Sequence, residues 1–395
     1  MKQRIQNLLK YRKGFYALYY HLMSFFIRLM GMFCRTDPRL ILINSFAGRK
    51  YDDSPRAIFE QMKSDPRFSG MRLVWAFHKP EQYEVEGAEK IKTDSLSYFL
   101  TALRARVWVT NSSVERGLRF KKKKTFYLNT WHGTPLKKMG NDLQTENQSF
   151  KSKGKSNVDI MMSQGAYETE IFARAFGIPS TRFLEAGLPR NDILAKADEK
   201  LRQSIREQLG IGEDQCVILY CPTFREYEQD EHRAVVMAPP MNLTKWEQKL
   251  GQRFVLFFRA HYEVSKVMKV EENAFVRNMT SYPSLNDLII ASDLLISDYS
   301  SVFFDYAITG KPMLHFTYDY DQYASKRGMY FDIRQYLNGS ADEDSLLEIL
   351  LTLSENEERA RSTRFRDAFV GQYGHAAEAA VNCIADSTGI GRAVS

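Results

Sequence analysis

Leu294-Leu-Ile-Ser297 is a short apolar run that passes straight into the polar turn Asp298-Tyr-Ser-Ser301, and Val302 to Thr309 continues as a helical stretch closed by Gly310 and Pro312. Strand, polar turn and helix in this order form the repeating unit of a parallel α/β sheet. The unit recurs upstream. Leu40-Ile-Leu-Ile-Asn44 leads through Ser45-Phe-Ala-Gly48 to a helical stretch from Pro55 to Lys63. Apolar runs return at 72–77, 107–110, 125–129 and 159–163, each ending in a polar or glycine-containing turn. Residues 195–209 turn charged and helical, after which a second series starts at Cys216-Val-Ile-Leu-Tyr220 and continues at Phe254-Val-Leu-Phe-Phe258. The predicted fold is α/β, with two Rossmann-like doubly wound domains, 37–200 and 201–395, facing a central cleft. Helices over 343–386 are predicted to pack across the second domain. Such sheets bind ligands at the carboxyl ends of their strands, so the chemistry is expected in the turns that follow them.

The 395 residues leave room for two domains, and 44% hydrophobic with 26% charged residues is a globular composition. Four cysteines without C-x-x-C spacing suggest neither a zinc site nor a disulfide framework and fit a reducing cytoplasm. The net charge of +7 favours anionic partners, whether phosphate-bearing substrates, acidic lipid headgroups or nucleic acid, and does not choose among them. No nucleic-acid motif accompanies it.

From Leu8 to Phe33, large apolar residues recur at three-and-four spacing, while Lys2, Arg4, Lys10, Arg12, Lys13 and Arg28 supply the flanks and the other face. His21 and Arg28 interrupt the run, which argues against a spanning helix, and no small-residue cleavage site marks a signal peptide. Residues 1–36 are therefore expected to form an amphipathic helix lying on an anionic membrane. The alternative is a domain helix packed on the core.

Several turns carry candidate chemistry. Ser300 and Ser301 fall at a helix start, where free backbone N–H groups, the dipole and two hydroxyls suit a phosphate or pyrophosphate; serine is also simply a good helix cap. Asp305, one turn on, could accept from ribose hydroxyls or be a solvated helix residue. Two more strands end in Tyr220-Cys-Pro-Thr-Phe-Arg225 and Phe257-Phe-Arg-Ala-His261, and Arg259 and His261 share one side of an extended chain. An arginine and a histidine there could bind phosphates and stabilise charge developing at phosphorus. In the first half, the strand 125–129 leads into Thr130-Trp-His-Gly-Thr-Pro-Leu-Lys-Lys138. His132 sits in a strand-to-helix turn, with Pro135 suited to the first helical turn, and could take a proton from an acceptor hydroxyl or merely cap the turn. Lys137 and Lys138 would face an anionic acceptor or the membrane. Gly389-Ile-Gly391 lacks a preceding strand, and Asp319-Tyr-Asp321 lacks the carboxylate cluster of a metal site; both are discounted. The run Lys121–Lys124 reads as a solvated loop or a contact with acidic lipid.

Together, Thr130–Lys138, Gly187-Leu-Pro-Arg-Asn-Asp192, Cys221–Arg225, Arg259-Ala-His261, Ile296–Asp305 and Gly310-Lys-Pro312 resemble the CDP-glycerol glycerophosphotransferase family of teichoic acid synthesis, in order and spacing from about Ser45 to Asp332. The first loop, Ser45 to Arg56, is similar too, with Arg49 where lysine and Ser54 where asparagine is more usual. The resemblance implies a GT-B architecture, CDP-glycerol bound mainly by the C-terminal domain, and in-line displacement of CMP without a required cofactor, Mg2+ being unindicated. By position, His132 matches the proposed base and His261 a second essential histidine, while Thr223, Arg225, Ser300 and Ser301 match donor-phosphate contacts. Short length points to a primase-like member that adds glycerol phosphate to a lipid-linked disaccharide on undecaprenyl diphosphate, peripherally at the cytoplasmic face of the bacterial cell membrane. A glycerol- or ribitol-phosphate polymerase, a nucleotide-sugar glycosyltransferase of the same fold and a basic membrane- or nucleic-acid-binding scaffold stay open, as does homo-oligomerisation.

Overall fold

The computed structural model describes residues 13–143, 156–223, 225, 240–251, 253–260 and 270–391. Two parallel sheets form two lobes. The N-terminal sheet contains β1 (Asp37–Asn44), β2 (Arg72–Phe77), β3 (Glu89–Lys92), β4 (Ala105–Thr110), β5 (Phe126–Asn129), β6 (Ile160–Ser163) and β7 (Phe183–Glu185), in the order β3-β2-β1-β4-β5-β6-β7. The C-terminal sheet contains β8 (Cys216–Cys221), β9 (Phe254–Phe258), β10 (Val276–Asn278), β11 (Leu294–Ser297), β12 (Met313–Phe316) and β13 (Asn338–Ser340), in the order β10-β9-β8-β11-β12-β13. Both follow the doubly wound pattern, so strand order reverses between β1 and β4 and again between β8 and β11. The central strands are apolar along their length because helices cover both faces: Leu40, Ile41, Leu42 and Ile43 are all buried.

Eight helices matter below: α1 (Lys13–Phe33), α2 (Asp53–Ser64), α3 (Leu96–Arg104), α4 (Ala166–Phe176), α5 (Leu285–Ala291), α6 (Val302–Ala307), α7 (Glu355–Phe369) and α8 (Ala376–Thr388). The expectation that the C-terminal helices stay with the second domain is corrected by α8. Its face of Ala376, Ala380, Val381 and Ile384 belongs to the N-terminal core with Ile41, Phe59 and Trp75. Asp192 fixes its start, accepting from the N–H groups of Ala376 and Ala377 at 2.9 and 2.8 Å, which satisfies two helix-end donors with a favourably placed negative charge.

The first helix has two unlike faces. Ser24, Ile27 and Gly31 are buried, with Met23 and Met30 packed on the same core as Leu103 of α3. Arg119 ties that side down, its N–H donating to Ser24 Oγ at 3.1 Å and its carbonyl accepting from Arg28 Nε at 2.7 Å. The other face, with Leu18, Leu22, Phe25, Phe26, Leu29, Met32 and Phe33, is exposed. No helix among the described residues is long and apolar enough to cross a membrane.

The lobes are joined beside the cleft by an antiparallel bridge between Lys137 and Met329. Lys138 N–H donates to Gly328 O, and Tyr330 N–H to Leu136 O, both at 3.0 Å. Tyr167 of α4 then packs against Phe304 of α6 and Phe369 of α7.

Candidate active site

Hydrogen bonds link the strand ends at both reversal points. In the N-terminal lobe, Thr110 Oγ1 donates to Asn44 Oδ1 at 2.6 Å, and Asn111 Oδ1 accepts from Phe46 N–H at 2.7 Å. Phe46, Ala47 and Gly48 follow with φ of 46°, 56° and 89°. Only glycine fits the last position, since a Cβ there would lie 2.5 Å from Thr93 Cγ2 and 3.0 Å from Ala76 O. Left-handed non-glycine residues in succession are costly, and such strain concentrates at functional sites. Here it brings the Phe46 ring 5.7 Å from that of His132.

His132 follows β5 on a short irregular segment. Asn129 Oδ1 accepts from Trp131 N–H at 2.8 Å, Trp131 takes a φ of 51°, and its indole stacks on the imidazole with centroids 4.2 Å apart. The Nδ1 atom lies 2.8 Å from the carbonyl oxygen of Asn111. A carbonyl can only accept, so Nδ1 carries the proton and Nε2 of the neutral ring keeps its lone pair. His132 is exposed at the cleft surface, although the surrounding walls crowd it closely. Burial within the cleft walls lowers its pKa from the usual value, the Arg190 charge adds to that, and the Asn111 carbonyl and Asp53 oppose it. The arrangement is that of a base held unprotonated near neutral pH. The predicted helical turn at Pro135 is corrected: the chain leaves β5 irregularly and reaches the Lys137 bridge, which takes up the backbone a helix would have used.

In the C-terminal lobe, Ser297 Oγ donates to Cys221 O at 2.6 Å, and the buried carboxylate of Asp298 accepts from the N–H groups of Thr223 at 2.9 Å and Tyr299 at 2.6 Å. These bonds hold the β8 and β11 turns side by side. Ser300 and Ser301 lie half-buried ahead of α6, with Ser301 at its cap position and forming no side-chain capping bond. Arg259, just past β9, spends Nη1 on the carbonyls of Met279 and Tyr282, at 2.9 and 2.7 Å. Nε and Nη2 have no partner among the described residues. Burial lowers the pKa of Arg259, with Cys221, Asp52 and Asp287 acting the other way.

The two halves meet at Gly133. A Cβ there would sit 2.8 Å from Ser301 Oγ and 4.0 Å from Arg190 Nη2. The structure thus brings the His132 turn and the Ser300-Ser301 turn together across the cleft.

Other expected residues stand differently. Arg225 is 2% exposed, and its guanidinium is committed to Asp319 through Nε and Nη2 at 2.7 and 2.9 Å and to Asp298 through Nη1 at 2.9 Å. In this structure the side chain braces Asp298 against Asp319. Thr223 acts through its backbone N–H, while its Oγ1 is buried without a hydrogen-bond partner among the described residues. Asp305 is engaged within the protein: Oδ1 accepts from Arg190 Nη2 at 3.0 Å and Asn191 Nδ2 at 2.6 Å, and Oδ2 from Arg190 Nη2 at 2.9 Å. Lys137 and Lys138 lend their backbone to the interlobe bridge, and Lys137 Nζ lies 6.0 Å from the Tyr323 ring centre. His261 lies in 261–269, outside the described residues.

Arg190 and Asp53, which the fold draws beside His132, lie in the motifs Gly187–Asp192 and Ser45–Arg56 that carry the family resemblance, but the sequence assigned neither a role. The lysine run is partly structural, since Lys122 Nζ donates to Cys34 O and Leu103 O at 2.6 and 3.0 Å. A shallow cavity lined by Asp37, Arg39, Arg72 and Glu89 lies at the amino ends of β1, β2 and β3, away from the converging groups. Among the described residues, no group of three or more metal-ligating side chains occurs.

Residues 25–385 match the family described as CDP-glycerol:poly(glycerophosphate) glycerophosphotransferase. The chain is 31% identical to a teichoic acid poly(glycerol phosphate) polymerase of Bacillus spizizenii, over 93% of this chain and 95% of that protein. It is 32% identical to a teichoic acid glycerol-phosphate transferase of Staphylococcus aureus, over 81% and 85%. Against a Staphylococcus epidermidis poly(glycerol phosphate) polymerase the identity is 35% over 76% of this chain, which spans only 43% of that larger protein. The solved wall teichoic acid polymerase TagF superposes with a TM-score of 0.84 at 30% identity, over 98% of this chain and 97% of that one.

Proposed function

Because the chain belongs to the CDP-glycerol:poly(glycerophosphate) glycerophosphotransferase family, we propose that it transfers glycerol phosphate from CDP-glycerol to a lipid-linked disaccharide on undecaprenyl diphosphate in teichoic acid synthesis, releasing CMP. The observation that carries this reading is the neutral His132 imidazole, its Nε2 lone pair left free by the Nδ1–Asn111 bond, next to a glycine that abuts the Ser300-Ser301 turn. The acceptor hydroxyl gives its proton to Nε2 as its oxygen bonds to the phosphorus that bears glycerol. The bond from that phosphorus to the bridging oxygen breaks, and the oxygen leaves with CMP. Charge on the transferring group meets the backbone N–H groups ahead of α6 and the Nε–Nη2 edge of Arg259. His261 enters as the second histidine on resemblance alone. A solved histidine variant of TagF soaked with CDPG, at 30% identity and a TM-score of 0.82, supports a CDP-glycerol donor, and the two facing sheets suit a GT-B enzyme.

A second reading is favoured by a specific likeness. The Bacillus spizizenii protein covered to 95% of its length is named a polymerase, so a short chain does not by itself mark a primase. Mass spectrometry of the product from CDP-glycerol and a short-chain lipid disaccharide separates them, one added unit meaning priming and a ladder meaning polymerisation. Product from CDP-ribitol alone would overturn the donor assignment.

We also propose peripheral attachment to the cytoplasmic face of the cell membrane through α1. The support is its exposed row of Leu22, Phe25, Phe26, Leu29 and Phe33, with Arg28, Arg35 and Arg39 exposed nearby.

A further inference from the structure

We propose that Arg190 is a positioning residue for this reaction: its guanidinium ties α6 of the C-terminal lobe to the start of α2 in the N-terminal lobe and thereby sets the Ser300-Ser301 turn at a fixed distance from His132. The inference rests on the phosphotransfer reading above. Arg190 Nη1 meets Asp53 at 2.8 Å, and Nη2 meets both oxygens of Asp305 at 3.0 and 2.9 Å. The side chains are sheltered, at 11% exposure for Arg190, 7% for Asp53 and 4% for Asp305.

Neighbouring bonds fix the same junction. Asn191 Nδ2 donates to Asp305 at 2.6 Å, and Asn286 Nδ2 of α5 donates to the Arg190 carbonyl at 2.5 Å. The residue is therefore held from both lobes through its backbone and its side chain. Asp53 adopts a φ of 65°, a left-handed conformation in a non-glycine residue, where its Oδ2 meets Arg190. Asp305 sits on the first turn of α6, directly after Ser300 and Ser301, so whatever fixes Asp305 fixes that turn. On the opposite side, the Cβ position of Gly133 lies 4.0 Å from Arg190 Nη2.

The guanidinium also works electrostatically. Burial opposes its charge, but Asp305 and Asp53 outweigh burial and raise its pKa. Among the described residues, the charged groups that bear on His132 are Arg190, which disfavours the imidazolium, and Asp53, which favours it. Glu168 of α4 is the further carboxyl group acted on by Arg190, and burial raises its pKa to about 7.

The test compares wild type, Arg190→Lys and Arg190→Gln for CMP release from CDP-glycerol with a soluble short-chain acceptor, each normalised to folded protein. Arg190→Gln removes the cation and leaves Asp53 to act on His132, so the acid limb of kcat against pH is expected to move to higher pH. Its kcat is expected to fall by about 100-fold, the scale of an ångström of misplacement, with less change in KM for CDP-glycerol. Arg190→Lys keeps the charge without the two-sided bridge, and is expected to lose kcat with its acid limb unmoved. Wild-type kcat in folded Arg190→Gln, or a fall with no movement of the limb, overturns the proposal. If Arg190→Gln does not fold, wild-type kcat and KM in Arg190→Lys overturn it. An inactive wild type would instead sink the phosphotransfer reading, which keeps the two failures distinct.

Discussion

Gly133 and Ser301, from opposite lobes, approach so closely that a Cβ on the glycine would stand 2.8 Å from the serine hydroxyl and 3.2 Å from its Cβ. Gly133→Ala therefore crowds Ser301, whose hydroxyl must rotate away and whose Cβ must give by a few tenths of an ångström. Such overpacking costs about 1–3 kcal/mol of stability. The larger effect is expected on turnover, a fall of roughly one to two orders of magnitude, because the displaced serine misplaces the phosphate turn against the base. Steady-state CMP release alongside thermal unfolding checks this; unchanged kcat would mean that the lobes do not meet at this point during reaction.

His132 is competent as a base only when neutral, and its pKa lies below the ordinary 6.5. Activity is therefore expected to hold level through neutral pH and to drop only on the acid side of 6.5. Removing the imidazole with His132→Asn should cost about 100- to 10,000-fold in kcat. A stability effect accompanies it. With the folded pKa depressed, the unfolded chain binds the proton more readily, so stability is full above about pH 6.5 and declines as pH falls below it. Melting temperature against pH should show a shallower acid decline in His132→Asn than in wild type.

Arg225 braces the C-terminal lobe through Asp298 and Asp319, whose side chains are 1% and 13% exposed. Replacing it by methionine leaves buried carboxylate charge without its counter-charge, which costs about 3–5 kcal/mol. The urea midpoint should fall accordingly, and donor affinity should fall only as far as the folded fraction does. Loss of CDP-glycerol binding in a variant of wild-type stability would restore Arg225 to direct phosphate contact.

The central strands and the Ser300-Ser301 turn were legible because local sequence determines them. Strands buried on both faces must be continuous apolar runs, and Leu40–Asn44, Arg72–Phe77 and Leu294–Ser297 are such runs. Edge strands such as Glu89-Lys-Ile-Lys92 and Asn338-Gly-Ser340 carry no such signature, since one side faces solvent and pairing alone defines them. The Arg190 junction was illegible for another reason. Its ion-pair partners lie 137 and 115 residues away in the chain, so only the folded arrangement of both lobes makes Asp53 and Asp305 neighbours. The return of α8 to the first lobe is hidden likewise, because an alanine-rich helix fits either core. Arg225 and Asp305 stand near strand ends, but local sequence does not reveal whether a charged group there meets a ligand or another side chain.

The two faces of α1 make opposite predictions. Phe25 and Phe26 are 61% and 53% exposed, so Phe25→Glu with Phe26→Glu should leave folding and turnover of a soluble acceptor near wild type. Each phenylalanine inserted into a lipid interface is worth about 1.5–3 kcal/mol, so the double variant should bind anionic vesicles at least 100-fold more weakly. Ile27, 3% exposed on the packed face, should behave in reverse: Ile27→Ala costs about 2–5 kcal/mol of stability, and the folded fraction keeps its vesicle affinity. Vesicle sedimentation with phosphatidylglycerol, run beside thermal unfolding, reads both. If the two glutamates lower stability and turnover together while vesicle binding persists, α1 serves the domain and the membrane contact lies elsewhere.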